Sequence, residues 1–351
     1  MISDKLQHKK RQTLADLFAN WKEVILSCNL SSSRVMDPVS KWLILTRACV
    51  FSMTLTSGLI GGLLAARHPD FNLLYFLLSV VGLGVAHASN NLINDYFDEA
   101  LGLDTQEDYV RAQYAPHPLL SGLVTRAQVR NAILLLNLID LAILIVLTVA
   151  RGPLVIAFAL AGLFISVFYT APPLRLKRIG LGEVGVLLVW GPLMIGGTYF
   201  VTAGEIPAWV IVASLPYALL VMTVLLGKHI DKIAMDRPKG IHTLPVIIGE
   251  QAALWLNRII AVAFYFIVVA LVLTRFLSVW LLVVFLSVPM LIETLRLYSQ
   301  PKPAEPPEGY TVWPLWYVSI AFRFTRLAGG LFILGLLLHA IFPLYVPASL
   351  F

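Results

Sequence analysis

LLYFLLSVVGLGVAHASNNLINDYFDEALGLD, residues 73–104, decides how this chain must fold. From Leu73 to about Asp95 it reads as a helix able to cross a bilayer, which takes roughly 20 apolar residues. It closes on Asn94-Asp95-Tyr96-Phe97-Asp98, and Asp104 follows just beyond Gly102. Carboxylates at the edge of a bilayer are costly to keep, so they are candidates for function. His87, Asn91, Asn94 and Asp98 fall at i, i+4, i+7 and i+11 and therefore share one helix face, with Asp95 beside it. Magnesium prefers an octahedron of hard oxygen donors and keeps several waters. Amide and carboxylate oxygens one turn apart suit it, with phosphate oxygens completing the shell. The alternative is a stripe of hydrogen bonds between helices; the three aspartates weigh toward metal.

The pattern repeats outward from this stretch. Of 351 residues, 58% are hydrophobic and 13% charged, where a soluble domain carries about 25% charged residues. Mean hydropathy is +0.82. The chain is expected to be an all-α integral membrane protein, with nine apolar segments at about 41–66, 73–95, 127–150, 153–171, 182–202, 208–228, 252–274, 277–297 and 318–343. The connections after the first, third, fifth and seventh segments are short and carry only Arg67, Arg151 and Arg275 as cations. Those after the second, fourth and sixth are longer and carry Arg111, Arg126, Arg175, Lys177, Arg178, Lys232, Arg237 and Lys239. By the positive-inside rule these basic loops and the N-terminus are cytoplasmic, as in a prokaryotic inner membrane, and an odd helix count leaves the C-terminus outside. The net charge of +6 thus points to anionic headgroups rather than nucleic acid. Residues 1–40 are read as a cytoplasmic amphipathic segment without the apolar core of a secretory signal peptide. Leu14, Leu17, Phe18, Trp21, Val24 and Ile25 recur there at helical spacing, for a helix lying in the headgroups or packed on the protein's own loops. Residues 41–351 form the nine-helix unit. Cys28 and Cys49 offer no spacing typical of a disulfide framework or a zinc site.

A second acidic cluster, Asp231 and Asp236 followed by Arg237-Pro238-Lys239-Gly240, ends the sixth segment, four segments after the first cluster. Both clusters then lie at one face, and two four-helix halves with a site at their interface would place them so. Asp231 and Asp236 are five residues apart. On a regular helix they would point about 140° away from each other, so either the helix deforms or the second metal site is altered.

These residues resemble the UbiA superfamily of intramembrane prenyltransferases. Asn94-Asp95-Tyr96-Phe97-Asp98 with Gly102-Leu103-Asp104 is similar to its first aspartate motif. It is closest to the branch acting on dihydroxynaphthoate, where the last aspartate also stands ten residues after the asparagine. Gly240-Ile241-His242-Thr243-Leu244-Pro245-Val246 resembles the end of the second motif. That motif places aspartates four and eight residues before the glycine; Asp236 fills the nearer place, and Lys232 stands in the farther one. Lys228 and His229 replace an expected pair of asparagines. Tyr169-Thr170-Ala171-Pro172-Pro173, followed by Arg175, Lys177 and Arg178, resembles a loop whose cations meet diphosphate. Before Pro118 the family commonly has an arginine; here it is His117, with Arg111 as a substitute.

The resemblance implies nine transmembrane helices around a central cavity, capped by cytoplasmic loops. It implies Mg2+-dependent transfer of an isoprenoid chain from a prenyl diphosphate to a lipophilic or aromatic acceptor, a quinone precursor. Candidate catalytic residues are Asp98, Asp236 and Lys177. Candidate metal ligands are Asn94, Asp95, Asp98, Asp104, Asp231 and Asp236. Asn91, Arg111, Tyr169, Lys177, Arg178, Lys232 and Lys239 are the candidate diphosphate contacts, and Lys232 would supply fixed positive charge where the family uses a metal ligand. Two alternatives stand beside this reading. One is cyclisation of the prenyl chain on the same scaffold. The other is a lipid-binding or transport protein, although a transporter would place its ion site nearer the bilayer midplane.

Overall fold

The computed structural model describes residues 12–31, 33–100, 102, 117–308, 310, 313–347 and 349, and among these there is no β-strand. The helices run in the order α1 (Leu14–Ser27), α2 (Pro38–Leu45), α3 (Phe51–Ala65), α4 (Leu73–Ala100), α5 (Arg126–Arg151), α6 (Leu154–Thr170) and α7 (Gly182–Leu188). They continue through α8 (Gly197–Ala203), α9 (Ala208–Asp231), α10 (Ile233–Asp236), α11 (Leu244–Ile248), α12 (Glu250–Leu273), α13 (Val288–Leu297) and α14 (Tyr317–Ile341). A π-helical stretch, Val189–Gly196, fuses α7 and α8 into one span around Pro192. A 3-10 stretch, Val279–Ser287, leads into α13.

Among the described residues eight spans are long and apolar enough to cross a membrane. Each falls on an expected segment, and α6 covers the remaining one with 17 residues. The protein is an integral membrane protein. Its α5 shows where lipid lies: Leu134, Leu135, Leu138, Leu141, Ile145 and Val149 all point outward. At the centre is α9, packed on α12 and α14 through Tyr217, Leu220, Phe264, Val268, Phe324 and Phe332.

Lipid tails are as apolar as leucine, so burial alone drives little association between these helices, and close packing decides. Two glycines supply it. A Cβ at Gly61 would stand 2.6 Å from the Ile195 carbonyl oxygen, and one at Gly227 2.9 Å from that of Tyr317. These backbones can meet only because a side chain is missing. Polar tethers add to them: Asn137 of α5 donates to Ser89 of α4 at 2.9 Å.

The first expected segment, 41–66, is not one helix. It breaks after α2 at Arg47, whose φ of 57° is left-handed, and resumes through a 3-10 turn, Ala48–Val50, into α3. Hydropathy cannot sense such a break, because Thr46 and Arg47 sit in an otherwise apolar run. Ahead of it, α1 opens with a capping box between Thr13 and Asp16. Its Asn20 and Val24 are buried, while Leu14, Phe18, Ile25 and Leu26 remain exposed. The helix thus packs on the protein's own chain and still presents an apolar stripe. Asp37 fastens it, accepting from Asn20 Nδ2 (3.1 Å) and Trp21 Nε1 (3.0 Å) while capping α2 through Ser40. Cys28 and Cys49 are joined in a disulfide with Cα atoms 5.1 Å apart, contrary to the sequence reading. The reversal between α1 and α2 brings together two residues that spacing alone does not pair.

Candidate active site

One polar cavity gathers the ends of several helices. It is lined by Asp98, Tyr169, Thr170, Lys177, Arg178, Lys232, Met235, Asp236, Lys239 and Ile241. Each wall has a local cause. Asp98 stands in the last turn of α4, where the negative end of the helix dipole disfavours a carboxylate. The neighbouring Glu99 is matched by Arg126 at 2.6 Å; Asp98 instead faces the cavity cations. Tyr169 and Thr170 close α6. The chain then turns through the cis bond between Pro172 and Pro173. Arg175 (φ 49°) and Gly180 (φ 77°) bracket a short 3-10 turn, Leu176–Ile179, that presents Lys177 and Arg178.

The third wall comes from the interruption of α9. The helix stops at Asp231, Lys232 leaves helical geometry, and α10 restarts at Ile233. Lys232 Nζ lies 3.8 Å from Asp236 Oδ1. The turn after α10 closes with Ile241 N donating to the Asp236 carbonyl oxygen at 3.0 Å, and Gly240 takes φ 64° there. Lys239 and Ile241 thereby reach the cavity. Asp236 is buried, and its Oδ2 has no hydrogen-bond partner among the described residues.

The break resolves the angular problem posed by Asp231 and Asp236. Asp236 turns into the cavity. Asp231 turns away and accepts from the backbone N–H groups of Tyr317 (3.1 Å) and Val318 (3.0 Å), with Lys302 Nζ at 3.6 Å. The expected metal ligand is instead the N-terminal cap of α14. The first cluster divides in the same way. Asp95 is fully buried and ion-paired with Arg47, and Asn91 Nδ2 donates to the Thr46 carbonyl at 2.9 Å. Both tie α4 to the break between α2 and α3 rather than line the cavity. His87 meets Thr54 Oγ1 at 2.7 Å, a contact between α4 and α3. Asn94 Oδ1 accepts from Thr170 Oγ1 at 3.3 Å, which brings it to the cavity's edge. Asp104 and Arg111 lie outside the described residues.

Two carboxylates from separate elements, one with an orphaned buried oxygen, and a nearby amide fit a single hard cation whose remaining ligands are phosphate oxygens and water. Among the described residues no group of three or more His, Cys, Asp or Glu side chains could by itself hold a metal. The donor set therefore suits an ion carried in with an anionic ligand better than an all-protein cage. Four cations against two carboxylates line the cavity, which leaves positive charge to receive that ligand.

Sequence reading missed Thr170, Met235 and Ile241 as cavity residues. It also passed over Glu183, the sole acidic residue in the span Gly182–Ala203. An isolated acid at the head of an apolar run was its available signal. Glu183 meets His229 Nδ1 at 2.7 Å, behind Tyr169.

A family model described as the UbiA prenyltransferase family matches residues 54–320. The 1,4-dihydroxy-2-naphthoate octaprenyltransferase of Bacillus subtilis is 29% identical over 73% of this chain and 81% of its own length. The enzyme of the same name from Escherichia coli is 27% identical over 60% of this chain and 70% of its own. Among solved structures, a UbiA homolog from Archaeoglobus fulgidus bound to GPP and Mg2+ superposes with a TM-score of 0.53. It shares 15% identity and covers 83% of this chain and 99% of that one.

Proposed function

Because this chain belongs to the UbiA prenyltransferase family, and is accordingly a membrane-embedded prenyltransferase, we propose that it transfers an isoprenoid chain from a prenyl diphosphate to a hydroxylated aromatic acceptor of the dihydroxynaphthoate class, with Mg2+. The observation that carries this reading is the convergence of Asp98 and Asp236, from distant parts of the chain, on a cavity rimmed by Lys177, Arg178, Lys232 and Lys239. The names of the relatives from Bacillus subtilis and Escherichia coli support the acceptor class.

Asn94, Asp98 and Asp236, with Asp104, would hold the ion, which when bound would supply electrophilic charge to the diphosphate oxygens. The lysines and Arg178 bind the diphosphate and offset the charge that grows on it as the allylic carbon–oxygen bond breaks and the electron pair leaves with oxygen. Arg178 can engage two phosphate oxygens at once, while the lysines act as point charges. The acceptor carbon then bonds to the allylic carbon, and its proton is lost. Met235 and Ile241 limit water beside the reacting carbon, which protects a developing allylic cation from hydrolysis. The isoprenoid tail stays in lipid while the headgroup meets the basic face, taken as cytoplasmic from the loop charges.

The test is incubation of the purified chain in bilayers with Mg2+, geranyl and longer prenyl diphosphates, and 1,4-dihydroxy-2-naphthoate, followed by mass spectrometry. The expected result is a prenylated naphthoate that disappears on chelation of Mg2+ and in Asp98→Ala. Diphosphate release with a cyclised hydrocarbon and no prenylated acceptor would replace transfer by cyclisation. Product that persists in Asp98→Ala without Mg2+ would refute the metal assignment.

A further inference from the structure

Behind the cavity wall three polar side chains from three helices form a line that the proposed chemistry leaves unused. Tyr169, at the end of α6, lines the cavity and its hydroxyl lies 3.5 Å from His229 Nε2 in α9. His229 Nδ1 lies 2.7 Å from Glu183 Oε1 in α7. Glu183 is fully buried and His229 is 1% exposed. Glu183 Oε2 has no hydrogen-bond partner among the described residues. Gly182 lies directly against this line: a Cβ there would stand 3.3 Å from Tyr169 Cε2 and in ordinary contact, 3.5 Å, with His229 Cε1.

The order of donors along this line follows from chemistry. With Glu183 Oε1 as the acceptor of this contact, the imidazole proton sits on Nδ1. His229 Nε2 is then bare and can only accept, so the Tyr169 O–H donates to it. That turns the lone pairs of the phenol oxygen toward the cavity. The lysines and Arg178 around it are donors only, so Tyr169, with its neighbour Thr170, contributes a neutral acceptor to a wall whose other polar members are four cations and two carboxylates.

We infer that Glu183 and His229 are positioning residues that orient the Tyr169 phenol oxygen as a hydrogen-bond acceptor for a hydroxyl of the prenyl acceptor. The inference rests on the prenyl-transfer reading and adds to it the feature that selects hydroxylated acceptors. A fully buried polar pair such as Glu183 and His229 is not in itself a stabilising choice, since apolar residues of similar volume often hold a fold as well. Its cost here is matched by a role at the one end that reaches the cavity.

Two measurements on the full chain in bilayers test it. The first needs no turnover: solid-state 15N NMR of histidine, with the His229 signal identified by its loss in His229→Gln. The expected spectrum has Nδ1 protonated and Nε2 bare, with Nε2 shifting in Tyr169→Phe. A proton on Nε2, or no response to Tyr169→Phe, overturns the inference. The second is kinetic, with geranyl diphosphate and 1,4-dihydroxy-2-naphthoate. Tyr169→Phe, His229→Gln and Glu183→Gln should each raise the naphthoate KM roughly tenfold, the scale of one lost neutral hydrogen bond. In His229→Gln and Glu183→Gln, whose side chains do not line the cavity, the KM of geranyl diphosphate and its acceptor-free cleavage should stay near wild type. Because the three act as a unit, Tyr169→Phe combined with His229→Gln should be no worse than Tyr169→Phe alone. Effects that multiply, or slower acceptor-free cleavage with an unchanged naphthoate KM, overturn the inference; the latter would assign the tyrosine to the allylic cation. A wild-type chain with the expected tautomer that never prenylates any acceptor overturns the proposed function, and with it the role assigned to the tyrosine.

Discussion

Two aspartates five positions apart do opposite work because one residue between them leaves the helix. Lys232 ends α9, so Asp236 enters the cavity and Asp231 caps α14. The two predict separable phenotypes. Asp231→Asn keeps the side chain's shape but removes the charge facing two N–H groups at a helix start. A loss of about 1–2 kcal/mol in stability is expected, read as a lower thermal midpoint with kcat near wild type. Lys232→Ala should act the other way. It removes charge from the leaving-group wall, and because Lys232 caps α9 through its backbone N–H rather than its side chain, turnover should fall by about 100-fold or more while the thermal midpoint holds. Wild-type turnover in Lys232→Ala would remove this lysine from the chemistry. Sequence motifs located both acidic clusters but could not say which oxygens meet. Asp95 and Asn91 sit on the same turns as Asn94 and Asp98, and only the placement of Thr46 and Arg47 claims them for another purpose.

Elements were legible where the bilayer imposes a length. Among the described residues eight of the nine expected segments hold a helix long enough to span, and the shorter α6 covers the ninth, because a spanning helix must satisfy its backbone internally over a known thickness. The break at Arg47 escaped, since its distant partner Asp95 is not contained in a local apolar count; between Asp231 and Asp236 a deformed helix is one of two readings the sequence allows, and the structure places the break at Lys232. The Cys28–Cys49 bond escaped for the same reason. The attachment of α1 carries a pH dependence. Burial acts to raise the Asp37 carboxyl, yet hydrogen bonds from Ser40, Trp21 and Asn20 outweigh it and hold the group below the usual carboxylate range. A depressed value in the folded state means the stabilisation is complete above the unfolded value of about 3.9 and is lost as pH falls through the lower, folded one. Hydrogen exchange of α1 peptides, corrected for intrinsic rate, should therefore show protection at pH 6 that fades on acidification below about pH 4. Asp37→Asn should lose much of that protection already at pH 6. Equal protection in both chains would mean that the apolar contacts and the disulfide hold α1 unaided.

At the scale of the whole molecule, α6 is the short member of the set. Its 17 residues amount to about 25 Å of helix, against a hydrocarbon layer of about 30 Å. Leu160, Leu163 and Phe164 on it face outward, and its last turn delivers Tyr169 and Thr170 to the cavity. Lipids beside α6 must compress to match it, at fractions of a kcal/mol per Å. Thinning of the bilayer at this flank would lower the charged end of an arriving donor toward the cavity mouth. Thin bilayers already have that shape. Prenyl transfer should accordingly run faster in vesicles of short monounsaturated lipids than in long-chain ones at equal fluidity, and lengthening α6 by one leucine-rich turn should erase the difference.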